Sequence, residues 1–381
     1  MKKILIISDS ALHKDPRILI QIAALQDDYQ LTCIGRTHPG AEYKGEYVVM
    51  ARGRSISRFF LKQLALFYKR LGKFSRIHLC ESKFIEATKA LKNQKFDLIL
   101  CNDLPSAPLA YMLKEHTGGK IYLDAHEFTP RQWEGMKSFE LKKPYLTYIM
   151  EEYATKADYG TTVCQSIADF YTNDYDFSID EVVMNLPKYN DLSPSEVNPD
   201  EIRIVHHGIA NRSRKLENLV DVFKLLDSRF TLDFYLVNNG KGAHSDLVEY
   251  AKSEPRIRFR DAVGTADLPS TLNKYDIGLY PLVPAVPNQE YALPNKFFEF
   301  LQARLAIAIW PSIEMKNLLI EHDLGVVSEN YSVEELASLI NALSAEDIAK
   351  FKKNSDEAAK TLNADDSLAK IAKGVAACLN K

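Results

Sequence analysis

Short runs of aliphatic and β-branched residues recur along almost the whole chain, with stretches of helical spacing between them. That alternation admits few solutions, because strands joined by crossover helices lie parallel and have helices on both faces of their sheet. In the first half the strand-like runs fall at 4–7, 29–34, 98–101, 121–123, 160–163 and 182–184, with helical spacing at 15–25, 105–116 and 144–157. KYNDLSPSEVNPD, at 188–200, is polar, carries two prolines and has no period, so it reads as a linker. A second series follows, with strands at 202–206, 231–237, 257–259, 277–280, 306–310 and 325–327. Its helices fall at 215–226, 243–253, 268–274, 295–304, 313–321 and 333–343. The expected architecture is α/β: two tandem Rossmann-like doubly wound domains, 1–187 and 201–365, facing a cleft. The tail at 366–381 reads as a helix whose apolar spacing (Leu368, Ile371, Val375, Cys378) suits docking back on the first domain. Ligands of such sheets bind beyond the carboxyl ends of the strands, which makes the polar residues there the ones to weigh.

Composition removes several alternatives. A net charge of −3 does not favour nucleic acid as a main partner. Five scattered cysteines, an odd number without a CxxC pair, read as free thiols of a reducing cytoplasm. The first apolar run reaches only four residues before Ser8 and Asp9, too short for a signal-peptide core. No stretch approaches the roughly 18–20 apolar residues of a membrane span, so a cytoplasmic protein is expected. An NAD-dependent oxidoreductase would carry GxGxxG after a strand, and this chain has none. One segment runs against the acidic balance: 52–76 holds eight Lys/Arg and no Asp or Glu. Arg58, Lys62, Lys69 and Lys73 fall on one helical stripe and Phe60, Leu64, Phe67 and Leu71 on another. Such a helix either lies on anionic lipid or packs its apolar stripe on the domain core with its basic face solvated.

Three stretches carry candidate chemistry. IYLDAHEFTP (121–130) runs from a buried strand straight into Asp124, His126 and Glu127. In IRIVHHGIANRSRKLENLV (202–220) a strand ends near Gly208, the loop carries Arg212, Arg214 and Lys215, and a helix begins at once. Glycine permits close backbone approach and a helix start offers unpaired N–H groups, so the cluster suits a diphosphate or is simply a solvated basic loop. In PNQEYALPNKFFEF (287–300), Pro294 pre-sets a helix whose first turn contains Lys296, a cation at the unfavourable end of the dipole unless an anion sits there. Glu299, one turn on, can accept from two vicinal hydroxyls. Asp174-Tyr175-Asp176 has the form of a metal-binding DxD but lies in a polar stretch and reads as a surface loop.

Taken in order, four stretches resemble the glycosyltransferases of the GT-B fold, and among them the retaining glycosyltransferase family 4. They are KDPRILIQIAALQ (14–26), CNDLPSAPLA (101–110) with IYLDAHEF, HHGIANRSRKLENLV (206–220) and ALPNKFFEFLQARLAIAI (292–309). The resemblance implies a second domain that holds a nucleotide-sugar and a first domain that faces the acceptor. Arg212 or Arg214, with Lys215, would neutralise the diphosphate beside Gly208, and Glu299 would hold the ribose. Glu290, which stands one residue further from Glu299 than in the family's pair, or the backbone around 292–294, would lie beside the donor sugar. Leu293, Pro294, Asn295 and Lys296 complete that side. His126 would contact the sugar near the reacting bond, with Glu127 and Asp124 orienting it or binding acceptor. Asn102 and Asp103 would be acceptor-side. Asp15 and Arg17 stand where the family often has a glycine-rich loop, and either contact acceptor or pair with each other as a cap. Fixed cations and a helix start stabilise a departing diphosphate, so neither metal nor cofactor is expected. Retention in the family is ascribed to front-face attack. The expected activity is transfer of a sugar to a glycan or lipid-linked saccharide of a bacterial surface polysaccharide, at the inner face of the membrane if 52–76 binds lipid. A nucleotide-sugar epimerase of the same fold and a non-catalytic nucleotide-sugar-binding subunit are the alternatives.

Overall fold

The structure, a computed structural model, describes residues 1–50, 56–136 and 138–381, and of residues 56–59 the backbone alone. The chain forms two units. One comprises Met1–Asn185, Val286–Asn288 and Ser367–Lys381, the other Leu186–Ala285 and Gln289–Asp366.

The first unit is built on β1 (Lys3–Ile7), β2 (Gln30–Gly35), β3 (Glu46–Val49), β4 (Leu98–Asn102), β5 (Lys120–Asp124), β6 (Tyr159–Thr162) and β7 (Glu181–Val182). They form one parallel sheet in the order β3-β2-β1-β4-β5-β6-β7. The second unit has β8 (Ile202–Ile209), β9 (Phe230–Val237), β10 (Ile257–Arg260), β11 (Ile277–Tyr280), β12 (Ala306–Ile309) and β13 (Gly325–Val327). These too are parallel, in the order β10-β9-β8-β11-β12-β13. Each unit winds outward from its first strand in one direction and then in the other, so its switch point lies between β1 and β4, or between β8 and β11.

Burial on both faces explains why the central strands read as unbroken apolar runs: Ile4 to Ile7 are fully buried, as are Leu98 to Cys101. The helix Ala364–Asn380 completes the first unit, burying Ile371, Val375 and Cys378 against Ile4, Ile6, Tyr122 and Tyr159. Gly374 permits that approach, since a Cβ there would come within 3.0–3.1 Å of the Tyr159 and Tyr122 rings. The second core gathers Phe223, Phe230, Phe234 and Trp310. Segment 188–200 is pinned to the second unit: Arg304 donates to the Asn190 carbonyl at 2.6 Å and the Ser195 hydroxyl to that of Asn273 at 2.8 Å. Beneath it Lys352 and Asp276, both without exposed side-chain surface, pair at 3.0 Å.

Several elements differ from the sequence-based expectation. β8 runs on to Ile209, which puts His206, His207 and Gly208 inside the strand. The edge strand β3 and the helices Ser82–Leu91, Gln165–Tyr175 and Ala345–Ala359 were not expected. Gln165–Tyr175 absorbs Asp174, so the DxD stretch, expected as a loop, straddles a helix end, with Asp176 at φ +54°. The helix expected at 144–157 is Phe139–Glu152, with Pro144 inside it.

The basic segment forms the helix Ile56–Arg70. Phe60, Leu64, Phe67 and Leu71 are exposed, so these residues do not pack on the domain core. Arg52 and Arg54, and the side chain of Arg58, lie outside the described residues. Among the described residues no helix is long and apolar enough to cross a membrane.

Candidate functional site

At the carboxyl end of β5 the chain leaves the first sheet as Asp124, Ala125, His126 and Glu127. Asp124 is buried and turned inward, where it accepts from Arg17 Nε and Nη2 at 2.6 Å each, from Gln21 Nε2 at 2.8 Å and from the Thr161 hydroxyl at 2.8 Å. Burial alone would raise its pKa, but the Arg17 guanidinium and these hydrogen bonds hold it below the usual carboxylate range. Arg17 also donates to the Val183 carbonyl at 2.6 Å and is 2% exposed. Of the two roles expected for Arg17, neither matches this placement: it is enclosed rather than open to an acceptor, and its partner is Asp124 rather than Asp15. Asp15 instead caps the helix Pro16–Leu25, accepting from the backbone N–H of Arg17 at 3.1 Å. Asn102 is likewise enclosed, exchanging hydrogen bonds with Gln21 at 2.7 and 2.9 Å.

These buried contacts fix the exit from β5. Ala125 donates to the Thr161 carbonyl at 2.8 Å, the Thr162 hydroxyl to the Ala125 carbonyl at 2.7 Å, and the Tyr171 hydroxyl to the Glu127 carbonyl at 2.6 Å. His126 then points to the end of β4, its Nε2 lying 3.0 Å from Asp103 Oδ2. Asp103 adopts φ 59°, ψ 149°, a conformation that favours glycine, and its N–H donates to the Asp124 carbonyl at 2.9 Å. Burial would lower the His126 pKa, but Asp103, by charge and hydrogen bond, and then Asp124 raise it to about 9. The imidazole is therefore a cation at neutral pH, with Nε2–H donated to Asp103. Its Nδ1 and the second Asp103 oxygen are buried without a hydrogen-bond partner among the described residues. Glu127 accepts from Asn288 Nδ2 at 2.5 Å, and Asn288 Oδ1 accepts from the Phe128 N–H at 2.7 Å. Asn288 belongs to the first unit. Burial and then Asp103 raise the Glu127 pKa, with His126 and Asn288 opposing.

In the second unit Gly208, Arg214 and Lys296 come together at the end of β8. Gly208 sits at φ +125°, and a Cβ there would lie 3.2 Å from Lys296 Nζ. The chain continues through a 3-10 turn, Arg212–Arg214, and Lys215 at φ +47°, before the helix Glu217–Lys224. Arg212 and Arg214 thus precede the helix as expected, and Lys215, expected to open it, precedes it too. Arg212 is paired with Asp246 and donates to the Lys241 carbonyl at 2.8 Å, which turns it away from Arg214 and Lys215. Arg214 is exposed and reaches the Tyr280 hydroxyl at 3.4 Å, and Lys215 is exposed.

Lys296 opens the helix Asn295–Gln302, for which Pro294 is an extended N-cap without a capping side chain. Its Nζ lies 2.8 Å from His206 Nε2 and 4.6 Å from the centre of the Tyr280 ring. Glu299, one turn on, is half-buried, and burial raises its pKa while Lys296 opposes. His207 Nε2 is 3.4 Å from Glu299 Oε2 yet makes no hydrogen bond. Burial and then Lys296 hold His207 neutral, with a pKa of about 3. Leu293 and Pro294 are half-buried at the approach to this helix. Glu290 ends the turn Pro287–Glu290, its carbonyl accepting from the Ser312 hydroxyl at 2.9 Å.

Chemically, the second unit offers a lysine and a half-buried carboxylate one turn apart at a helix start, with Arg214 near enough to depress the lysine's pKa, an arrangement that suits an anion with a diol beside it. Two participants were not among the sequence-derived candidates. His206 lay in a strand read as ending there, and its role depends on a lysine 90 residues away. Tyr280, at the end of β11, carries no motif at all.

No protein-family model matches the sequence, and no curated protein matches it. Solved structures do. The chain is similar to Anabaena HepE in complex with UDP-glucose over 99% of its own length and 100% of HepE's, with a TM-score of 0.71 at 13% identity. It is similar to the sucrose-phosphate synthase of Thermosynechococcus elongatus over 98% of each chain, with a TM-score of 0.71 at 13% identity. A variant of S. aureus TarM, in complex with fondaparinux, α-GlcNAc-glycerol and UDP, gives 0.69 at 12% identity over 100% of both chains. At such identities the likeness is one of fold: two Rossmann-like units arranged in sequence as in GT-B glycosyltransferase structures.

Proposed function

We propose that this protein is a retaining, metal-independent glycosyltransferase of the family 4 kind. It would move a sugar from a nucleotide-sugar to a glycan or lipid-linked saccharide in bacterial surface polysaccharide synthesis. The observation that carries the reading is the strand-end cradle of the second unit: Gly208 and Arg214 beside Lys296 at the start of the helix Asn295–Gln302, with Glu299 one turn in. The solved structures of similar fold that hold UDP or UDP-glucose support a nucleotide-sugar as its ligand.

In this reading the diphosphate leaves the anomeric carbon as its growing negative charge meets Arg214, Lys215, Lys296 and the helix N–H groups, a neutralisation that needs no divalent ion. Glu299 accepts from the ribose hydroxyls. The His126 imidazolium, anchored by Asp103, keeps its Nδ1–H for a sugar oxygen near the reacting bond, and no protein nucleophile is called for.

The test is calorimetric titration with UDP, GDP, CMP and NAD, repeated on Lys215→Ala and Glu299→Ala. One nucleoside diphosphate is expected to bind, and each substitution to weaken it about 10- to 100-fold, the worth of one charge-assisted hydrogen bond. Binding of NAD alone, or of nothing, would remove the reading.

The helix Ile56–Arg70 supports the lipid-linked form of the acceptor. Exposed Phe60, Leu64, Phe67 and Leu71 stand beside Lys62, Arg70 and Lys73, a composition that suits an anionic bilayer surface. Co-sedimentation with vesicles containing phosphatidylglycerol is expected, and should be lost on pure phosphatidylcholine and in Phe60→Ser/Phe67→Ser. Equal partition to both lipids would contradict it.

A further inference from the structure

Lys296 is an unusual cation for an anion site because its surroundings are built to do without its charge. It lies at the N-terminal, positive end of its own helix. The groups that face it are His206 and His207 from β8, Arg214 from the 3-10 turn, Tyr280 from β11 and Glu299 from its own helix. Of these, Glu299 is the one carboxylate, with one oxygen 3.4 Å from His207 Nε2. Arg214 adds repulsion.

His206 decides how the amine is held. It is fully buried, and its Nδ1 lies 2.8 Å from the Leu279 carbonyl oxygen, which can only accept. Nδ1 therefore carries the proton, and Nε2 presents a lone pair to Lys296 Nζ at 2.8 Å. That hydrogen bond is satisfied by an amine as well as by an ammonium, so Nζ keeps its place under Gly208 in either state.

We propose that Lys296, positioned by His206, becomes fully charged when a diphosphate is seated at the end of β8, so that above neutrality the second unit takes up a proton as it binds its nucleotide. The inference rests on the nucleotide-sugar reading above and adds to it the state of the site before the ligand arrives. Burial, then Arg214, lower the Lys296 pKa to about 7, with Glu299 opposing, so above neutrality most empty sites hold the amine. A diphosphate at hydrogen-bond distance reverses that balance: the amine takes a proton from solvent and the ammonium donates to a phosphate oxygen. Nucleotide departure returns the proton.

The experiment is calorimetry with UDP, GDP and CDP at pH 8, where the free nucleotides are fully ionised, in buffers of different ionisation enthalpy. The slope of apparent enthalpy against buffer enthalpy gives the protons exchanged at saturation. For the nucleotide that binds, uptake close to one proton is expected, about 0.9 from a group with a pKa of about 7. Uptake should vanish in Lys296→Arg, whose guanidinium does not titrate here, whatever that variant's affinity. Independently of any variant, wild-type affinity should fall by up to tenfold per pH unit above 7. Binding without uptake, or uptake that survives in Lys296→Arg, would overturn the coupling and leave the nucleotide reading standing. If none of the three nucleotides binds, the reading itself fails and the coupling falls with it.

Discussion

Arg17→Met is expected to cost the first unit about 3–5 kcal/mol, the penalty for removing one partner of a buried ion pair. Arg17 and Asp124 are both almost without exposed surface and meet through two hydrogen bonds of 2.6 Å, so the substitution leaves a buried carboxylate without its paired cation and with only the neutral donors Gln21 and Thr161. Urea denaturation followed by a probe in the first unit measures the loss. Arg17→Met combined with Asp124→Leu should recover only part of it, because Gln21 and the Thr161 hydroxyl then lack their acceptor. The pH dependence follows from the sign of the shift. The folded pKa of Asp124 is depressed, so its contribution is fully present above the unfolded value of about 3.9 and is lost as pH falls through the folded one. In Arg17→Met that acid-side loss should shrink or disappear. A stability change under 1 kcal/mol would mean that the pair is not the strut of the β5 exit.

His126→Ala is expected to lower kcat/KM for the proposed sugar transfer by about 10²–10³, the usual loss for one oriented donor at a reacting centre, while nucleotide affinity, which the proposed function places in the second unit, is expected to be unchanged. The wild-type pH profile should hold up to about 9 and then fall as the imidazolium loses its proton. Asp103→Asn removes the group that most raises that value and leaves burial to lower it, so the limb should move to lower pH. An unchanged limb in Asp103→Asn would show that His126 does not carry it. A protein that binds nucleotide and has no turnover to lose in any variant would instead be the non-catalytic subunit.

Much of this was legible in the residues themselves. The central strands are buried on both faces and so read as unbroken apolar runs, while the order in which they pair, and with it the switch points, came from the structure. What escaped was set by tertiary contact. β3 is a partly exposed edge strand, Glu46–Val49, with little apolar pattern to show. Asp15 and Arg17 stand two residues apart and looked like partners, but Arg17 reaches 107 residues along the chain to Asp124. Arg212 was indistinguishable from Arg214 by position, yet only Arg212 faces Asp246. His206 was read as the last residue of a strand, whereas the strand continues to Ile209 and the ring is enclosed with Nε2 against Lys296. Periodicity reports which face of an element is buried, and it carries no record of which distant polar group waits there.

In the proposed function a nucleoside diphosphate sits where β8 ends against the start of the helix Asn295–Gln302. Amide hydrogen exchange with and without saturating UDP, or whichever nucleotide calorimetry selects, tests it most directly. Slowed exchange confined to about Gly208–Leu216 and Leu293–Glu299 is the predicted result. Protection that leaves both segments untouched while appearing elsewhere in the chain would contradict it.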